Sequence, residues 1–437
     1  MRTLDRDILR LALPALGALA AEPLFLMADT AMVGHLGPDA LAAMAIATTV
    51  VGTVMGFMVF LAYATTPRVA RRLGAGDLPG AITAGFSGIW LALLTALVLM
   101  ACGFPLLSTV VGWFGTSGQV ASLALGYLHI TWWGLPVMLV VVAATGLLRG
   151  MQDTRTPLYV AVGGFAVNIV LNAVFIYGVG MGVAGSALGS VLANAAMCTV
   201  YLVVAGRGAS RNSASIRPDW DGIWVSARGS VWLLLRSAGL RGSIITLVVL
   251  TTALGTVPLA AIQVMQTLFN SLAMCLDALA IAGQALIALQ LGRKDRVAVG
   301  RINRRLIVWG VGFGVVVGVL LLAVSPWLGR LFSGDAEVIA LVTPLAWILA
   351  LSMPLAGYVF TLDGVLLGAE DQKYLGVAMV LAMVAYVGSV LLLSIWWRNA
   401  FVLWGAFCLG FLAFRGIGLG WRVRDDGWIL RAERKGS

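Results

Sequence analysis

The sequence predicts an all-α polytopic membrane protein. Twelve transmembrane helices are expected in two parallel six-helix pseudo-repeats, an N-lobe and a C-lobe around a central cavity. Three observations predict it. Of 437 residues, 60% are hydrophobic and 11% charged, against about 25% charged in soluble domains. The mean hydropathy of +0.98 leaves too little polar surface for a water-soluble fold. Finally, the chain repeats itself at half its length. Leu36-Gly37 and Leu41-Ala42-Ala43 return as Leu254-Gly255 and Leu259-Ala260-Ala261. Leu73-Gly74 with Asp77 returns as Leu291-Gly292 with Asp295, and Gly146, Leu148, Gly150 and Asp153 return as Gly364, Leu366, Gly368 and Asp371. Each counterpart lies 218 positions on, as Gly37 and Gly255 show, and no gap is needed. Matches in register mark a duplicated unit. In a membrane protein, two related halves are the plan of a transporter with its site between them.

Taken in order, the apolar runs cover 7–34, 41–67, 81–104, 119–148, 158–178, 183–205, 230–254, 259–291, 305–328, 336–367, 374–396 and 401–421. Each is long enough to cross a hydrocarbon core of roughly 30 Å. Pro14 and Pro23 in the first run, and Pro344 and Pro354 in the tenth, each remove a backbone hydrogen bond and favour a bend. Ala18-Leu19-Ala20-Ala21 resembles a signal-peptidase site. The acids Asp5 and Asp7 and the apolar run continuing to Val33 argue against cleavage, so residue 1 is expected to start the mature protein. The domain reading is an N-lobe over 1–205, a cytoplasmic linker over 206–229, a C-lobe over 230–421 and a cytoplasmic tail over 422–437.

Basic residues set the expected orientation. Arg68, Arg71 and Arg72, then Arg149 and Arg155, Arg207 and Arg211, the cluster from Arg293 to Arg305, and the tail residues Arg422 to Lys435 all fall on one side. The opposite loops hold Arg330 and Arg398. The positive-inside rule therefore places both termini in the cytoplasm. Because the net charge of +10 resides in these short loops, it is explained by the membrane and no nucleic-acid partner is expected. Trp113, Trp327, Trp396 and Trp397 read as an outer interfacial belt. The four cysteines have neither metal nor redox spacing.

Ionisable groups inside the spans are where function is expected, because an acid at the bilayer centre costs at least about 2.5 kcal/mol unless it faces a partner or a cavity. The first span carries Glu22 and Asp29, seven residues apart and so on nearly one face. The eighth carries Gln263, Gln266, Asn270, Asp277 and Gln284, a polar stripe. The fifth has Asn168 and Asn172 one turn apart, and the sixth has Ser186, Ser190 and Asn194 at the same interval. Interhelical hydrogen bonding is the competing explanation for these amides and serines. Asp363, near the end of its span beside Gly364, reads as a capping or loop residue, and His129 as a single polar contact.

Asp29-Thr30-Ala31-Met32-Val33-Gly34-His35-Leu36-Gly37, Leu73-Gly74-Ala75-Gly76-Asp77, Leu148-Arg149-Gly150 and Leu276-Asp277-Ala278 resemble the multidrug and toxic-compound extrusion (MATE) family, in its DinF-like branch. Thr361-Leu362-Asp363-Gly364 and Arg415-Gly416 extend the likeness over the whole chain. The resemblance implies a secondary antiporter, and the chain is expected in a bacterial inner membrane as a monomer. It would export small amphipathic, cationic compounds in exchange for protons, with no cofactor beyond the proton or, in other branches, sodium. It further implies that Asp29 takes the coupling proton, that its helix bends at Pro14, and that Asn168 belongs to the surrounding polar network. Asn172 stands where relatives often have a second acid, leaving Asp29, aided by Glu22, to act alone. The seventh span lacks the glutamate of the sodium-type branch.

Other classes fit less well. The loop Arg68-Val69-Ala70-Arg71-Arg72-Leu73-Gly74 differs from the Asp-and-glycine pattern of major-facilitator transporters. A lipid-linked precursor flippase of the same superfamily stays open as an alternative, as does sodium coupling. Two isolated histidines and no metal spacing argue against an enzyme.

Overall fold

The structure, a computed structural model, describes residues 2–116 and 118–434, so the last three residues of the expected tail lie outside the described residues. The first six spans are α1 (Arg2–Gly34), α2 (Pro38–Gly74), α3 (Leu78–Gly112), α4 (Gly118–Trp133 and Leu135–Gly150), α5 (Arg155–Gly178) and α6 (Val183–Arg211). The second six are α7 (Trp220–Thr252), α8 (Thr256–Gly292), α9 (Arg296–Phe332), α10 (Ala336–Gly368), α11 (Gln372–Trp396) and α12 (Ala400–Arg422). A short amphipathic helix, α13 (Gly427–Arg434), follows. Among the described residues, eleven helices are long and apolar enough to cross a membrane, and twelve when the two pieces of α4 count as one span.

Helix ends follow local chemistry. The glycines that precede α2 and α8, Gly37 and Gly255, have φ of 116° and 109°, a backbone state open to glycine and strained for other residues. Asp77 caps α3 by accepting from Gly80 N at 2.8 Å, and Asp295 caps α9 by accepting from Ala298 N at 2.9 Å. Where prolines were expected to bend α1 and α10, both helices run unbroken through Pro14, Pro23, Pro344 and Pro354. A sharp break of 52° instead divides α4 at Gly134, where Pro136 opens the second piece. The polar stretch 206–229 is also largely helical. α6 and α7 enter it from both sides, leaving 212–219 outside helices.

The helices group into two compact units, one of Leu13–Ser230 and one of Met1–Ala12 with Val231–Ser437. Within each unit the duplication reappears as geometry. A Cβ on Gly146 of α4 would lie 2.9 Å from Ala62 Cα of α2, and one on Gly364 of α10 would lie 2.7 Å from Ala280 Cα of α8. One turn on, Gly150 meets the Thr66 carbonyl and Gly368 meets the Gln284 carbonyl at 2.7 and 2.6 Å by the same measure. All four contacts obey the 218-residue offset. Small residues let membrane helices touch backbone to backbone, and close packing is what holds helices together where no hydrophobic effect separates them from lipid.

Candidate functional site

In the unit Leu13–Ser230 a group of buried polar side chains from α5 and α6 converges on Asp29, in the last turns of α1 and 1% exposed. Its Oδ1 accepts from Asn172 Nδ2 of α5 at 2.8 Å and from Ser186 Oγ of α6 at 2.7 Å. One turn away, Asn168 Nδ2 donates to Ser190 Oγ at 3.0 Å, and Asn194 Nδ2 donates to the Ser190 carbonyl at 2.9 Å. The buried hydroxyl of Tyr127, from α4, faces Ser186 and Ser190. Tyr177 donates to the Met32 carbonyl at 2.6 Å, tying α5 to the end of α1.

Local sequence explains why α5 and α6 come close enough. A Cβ on Gly185 would sit 2.8 Å from the Phe175 carbonyl carbon, and one on Gly189 would collide with the Asn172 amide. Beyond Ala173 the α5 backbone widens into a π-turn, Val174–Gly178, a device found mostly at functional sites. The chemistry of the arrangement is that of an acid with neutral partners. Burial favours the neutral form of a carboxyl, while N–H and O–H donors favour its anion. Asp29 has both. The Asn172 Oδ1 and Asn168 Oδ1 atoms are buried without a partner. A rotated Asn172 amide would present oxygen to a protonated Asp29, so this pair suits either protonation state.

Other residues singled out in the sequence are placed differently. Glu22 is exposed, makes no hydrogen bond among the described residues, and does not share the Asp29 network. Along α8 the polar stripe grades from exposed Gln263 and Asn270 to half-buried Asp277 and buried Gln284, with Gln266 also buried. His129 stacks on Phe104 with ring centroids 5.0 Å apart.

Asp363 is not a cap. It lies inside α10, which continues to Gly368. There Arg236 Nη2 of α7 reaches its Oδ2 at 2.9 Å, and Arg415 of α12 binds the same oxygen. Asp363 and Arg415 are 4% and 5% exposed, so this is a buried ion triad, with the charge of Asp277 acting on Arg415. The sequence reading missed it. Its signal was present: Arg236 and Arg415 stand inside apolar runs, where a cation needs an anion. Aromatic rings enclose the triad, with Phe360 and Phe411 5.7 and 5.6 Å from the Arg415 guanidinium.

Comparison with known proteins adds a second line of observation. The MatE family pattern matches residues 14–174 and 240–392, one match in each half, and the last residues of the two matches, 174 and 392, keep the 218-residue offset. The chain is 30% identical to the probable multidrug resistance protein NorM of Rhizobium meliloti, over 95% of this chain and 92% of that one. It is 28% identical to DNA damage-inducible protein F of Escherichia coli, over 97% and 94%. Among solved structures, the Vibrio cholerae MATE transporter VcmN in its bent form superimposes with a TM-score of 0.87 at 17% identity, covering 99% of this chain and 98% of that one. An outward-facing multidrug resistance MATE transporter superimposes with a TM-score of 0.88 at 18% identity, over 97% and 96%.

Proposed function

The chain belongs to the MatE family of multidrug efflux transporters, and we propose that it exports small amphipathic cations in exchange for protons, with Asp29 carrying the proton. One observation carries the reading: the buried carboxyl of the first span is held by neutral donors from α5 and α6 and, among the described residues, by no cation. Protonation would turn Asn172 and Ser186 from donors toward an anion into partners of an acid. It thereby changes which packing of α1 against α5 and α6 is favoured, and the populations of the transport states follow. A cationic substrate and a proton compete for one negative charge, which couples their movements in opposite directions. Glu22 plays the lesser part, because it stands outside the network. Pro14 and Pro23 supply places where α1 loses backbone hydrogen bonds and bends at low cost.

The same reading places a monomer in a bacterial plasma membrane with both termini cytoplasmic. Lobes over 1–205 and 230–421 are joined by the cytoplasmic stretch 206–229. Labelling of that stretch from outside intact cells would overturn the orientation. Sodium coupling is the second reading. The unpartnered buried oxygens of Asn168 and Asn172 favour it, since hard cations bind oxygen ligands. Against sodium, the group of Asn172 that meets Asp29 is an N–H donor, which cannot ligate a cation.

The deciding experiment measures dye efflux from everted vesicles under an imposed proton gradient, with and without sodium. Asp29→Asn keeps size and hydrogen bonding and removes the titrating group. We expect it to fold and to lose proton-driven efflux. Wild-type efflux in Asp29→Asn with loss in Glu22→Gln would move the role to Glu22. Efflux that follows sodium alone would establish the second reading.

A further inference from the structure

A second feature lies in the other unit, at the membrane-surface end of α9. A cavity of about 460 Å³ opens between the first turns of α1 and the first three turns of α9. Its polar wall is Arg301, Arg304, Arg305 and Asp7 with Gln290 of α8, and Leu4 and Val308 belong to its apolar wall. Arg305 is already engaged, since its Nε and Nη2 meet the Asp5 carboxylate at 2.5 and 2.8 Å. Arg301 and Arg304 have no ion pair or hydrogen bond among the described residues, and both are exposed. Asp7 is the wall's carboxylate and likewise has no cationic partner there. Two free guanidinium groups against one carboxylate leave the cavity with a positive excess.

The apolar wall says what kind of anion would fit. Val308 is 59% exposed and begins a line of exposed apolar residues down one side of α9, through Val315, Val319 and Leu322 at 47%, 60% and 48%. On a membrane-crossing helix such a line meets acyl chains. The basic cavity thus sits at the head of a lipid-facing stripe. A free anion has no use for that stripe, whereas a phospholipid fills both parts.

We propose that this cavity binds a net-anionic phospholipid, with its phosphate between Arg301 and Arg304 and its chains along the Val308 stripe. A glycerol headgroup suits the remaining wall, because its hydroxyls donate to Asp7. Basic pockets between helices at a membrane surface are a recurrent means of holding anionic headgroups. A lipid seated there lies beside the Asp5–Arg305 pair that fastens the head of α1.

The test uses the full-length protein in phosphatidylcholine nanodiscs, titrated with phosphatidylglycerol and read by native mass spectrometry and thermal unfolding. Wild type should retain phosphatidylglycerol and unfold at a higher temperature with it. Arg301→Gln/Arg304→Gln should bind about thirtyfold more weakly, the combined contribution of two arginines to anionic-lipid attraction. Arg301→Lys/Arg304→Lys should keep most of the binding. An equal loss in Arg207→Gln/Arg211→Gln, at the end of α6, would mean general surface attraction and overturn the proposal. Equal stabilisation by inorganic phosphate, or equal retention of phosphatidylethanolamine, would overturn it as well. So would undiminished binding in the double glutamine variant.

Discussion

The two halves of this chain share a backbone frame and differ in the chemistry they bury. In one unit a single carboxyl, Asp29, has only neutral partners, Asn172 and Ser186. In the other the more deeply buried carboxyl, Asp363, stands between two guanidinium groups, Arg236 and Arg415. By the 218-residue offset these are not equivalent places. Asp29 corresponds to Leu247, Asn168 to Tyr386 and Asn172 to Val390, whereas Asp363 corresponds to Thr145, Arg236 to Ala18 and Arg415 to Met197. The helix contacts were copied and the polar groups were not. An acid among amides and hydroxyls can gain or lose a proton by rearranging hydrogen bonds. Removing the charge of an acid between two buried cations strands both. The first arrangement is suited to switching and the second to holding α7, α10 and α12 together.

That contrast can be broken most directly at its two acids. Asp363→Ala should cost about 3–5 kcal/mol of stability, the penalty for leaving buried charge uncompensated. It should show as early thermal unfolding in detergent. Asp29→Asn should change the unfolding temperature far less while losing proton-driven efflux. The reverse pattern, a stable Asp363→Ala and an unfolding Asp29→Asn, would exchange the two roles. Next in size, Gly189→Ala should cost about 1–3 kcal/mol, because its methyl overlaps the Asn172 amide. It should also lower efflux more than Gly163→Ala, whose methyl meets open space on α5. The smallest effect is expected for Tyr386→Phe. That hydroxyl is buried without a partner, so its removal should stay within about 0.5 kcal/mol. A larger loss would mean that Tyr386 contributes polar chemistry of its own, as its counterpart Asn168 does.

These differences also explain what could be read from the sequence. The repeat was legible because its anchors sit where a side chain cannot. Gly146 against Ala62 and Gly364 against Ala280 are backbone contacts, so glycine recurs at both. The Asp29 cluster was legible in part, since an acid and spaced amides stand out in apolar runs. Tyr127 was not, because one tyrosine in a hydrophobic helix carries no pattern. The ion triad escaped because its members come from α7, α10 and α12, separated by 127 and 52 positions. Local spacing cannot pair residues so far apart. Proline marks where a helix can bend, and α1 and α10 run as continuous helices through theirs. The 52° break came instead at Gly134.

The Asp5–Arg305 pair has a counterpart at the other end of the chain. Trp309 Nε1 also donates to Asp5, at 2.8 Å, while Glu433 of α13 takes Arg296 through Nε and Nη2 at 2.8 and 2.6 Å. Arg296 and Arg305 lie on one helix, about 13 Å apart along its axis. The two described ends of the polypeptide are therefore moored to one stretch of α9, about two and a half turns apart, and the chain comes close to being circular. A short bridge could join them, with new ends opened in the non-helical stretch 212–219. The order of the two halves along the chain would then be reversed while every helix kept its place.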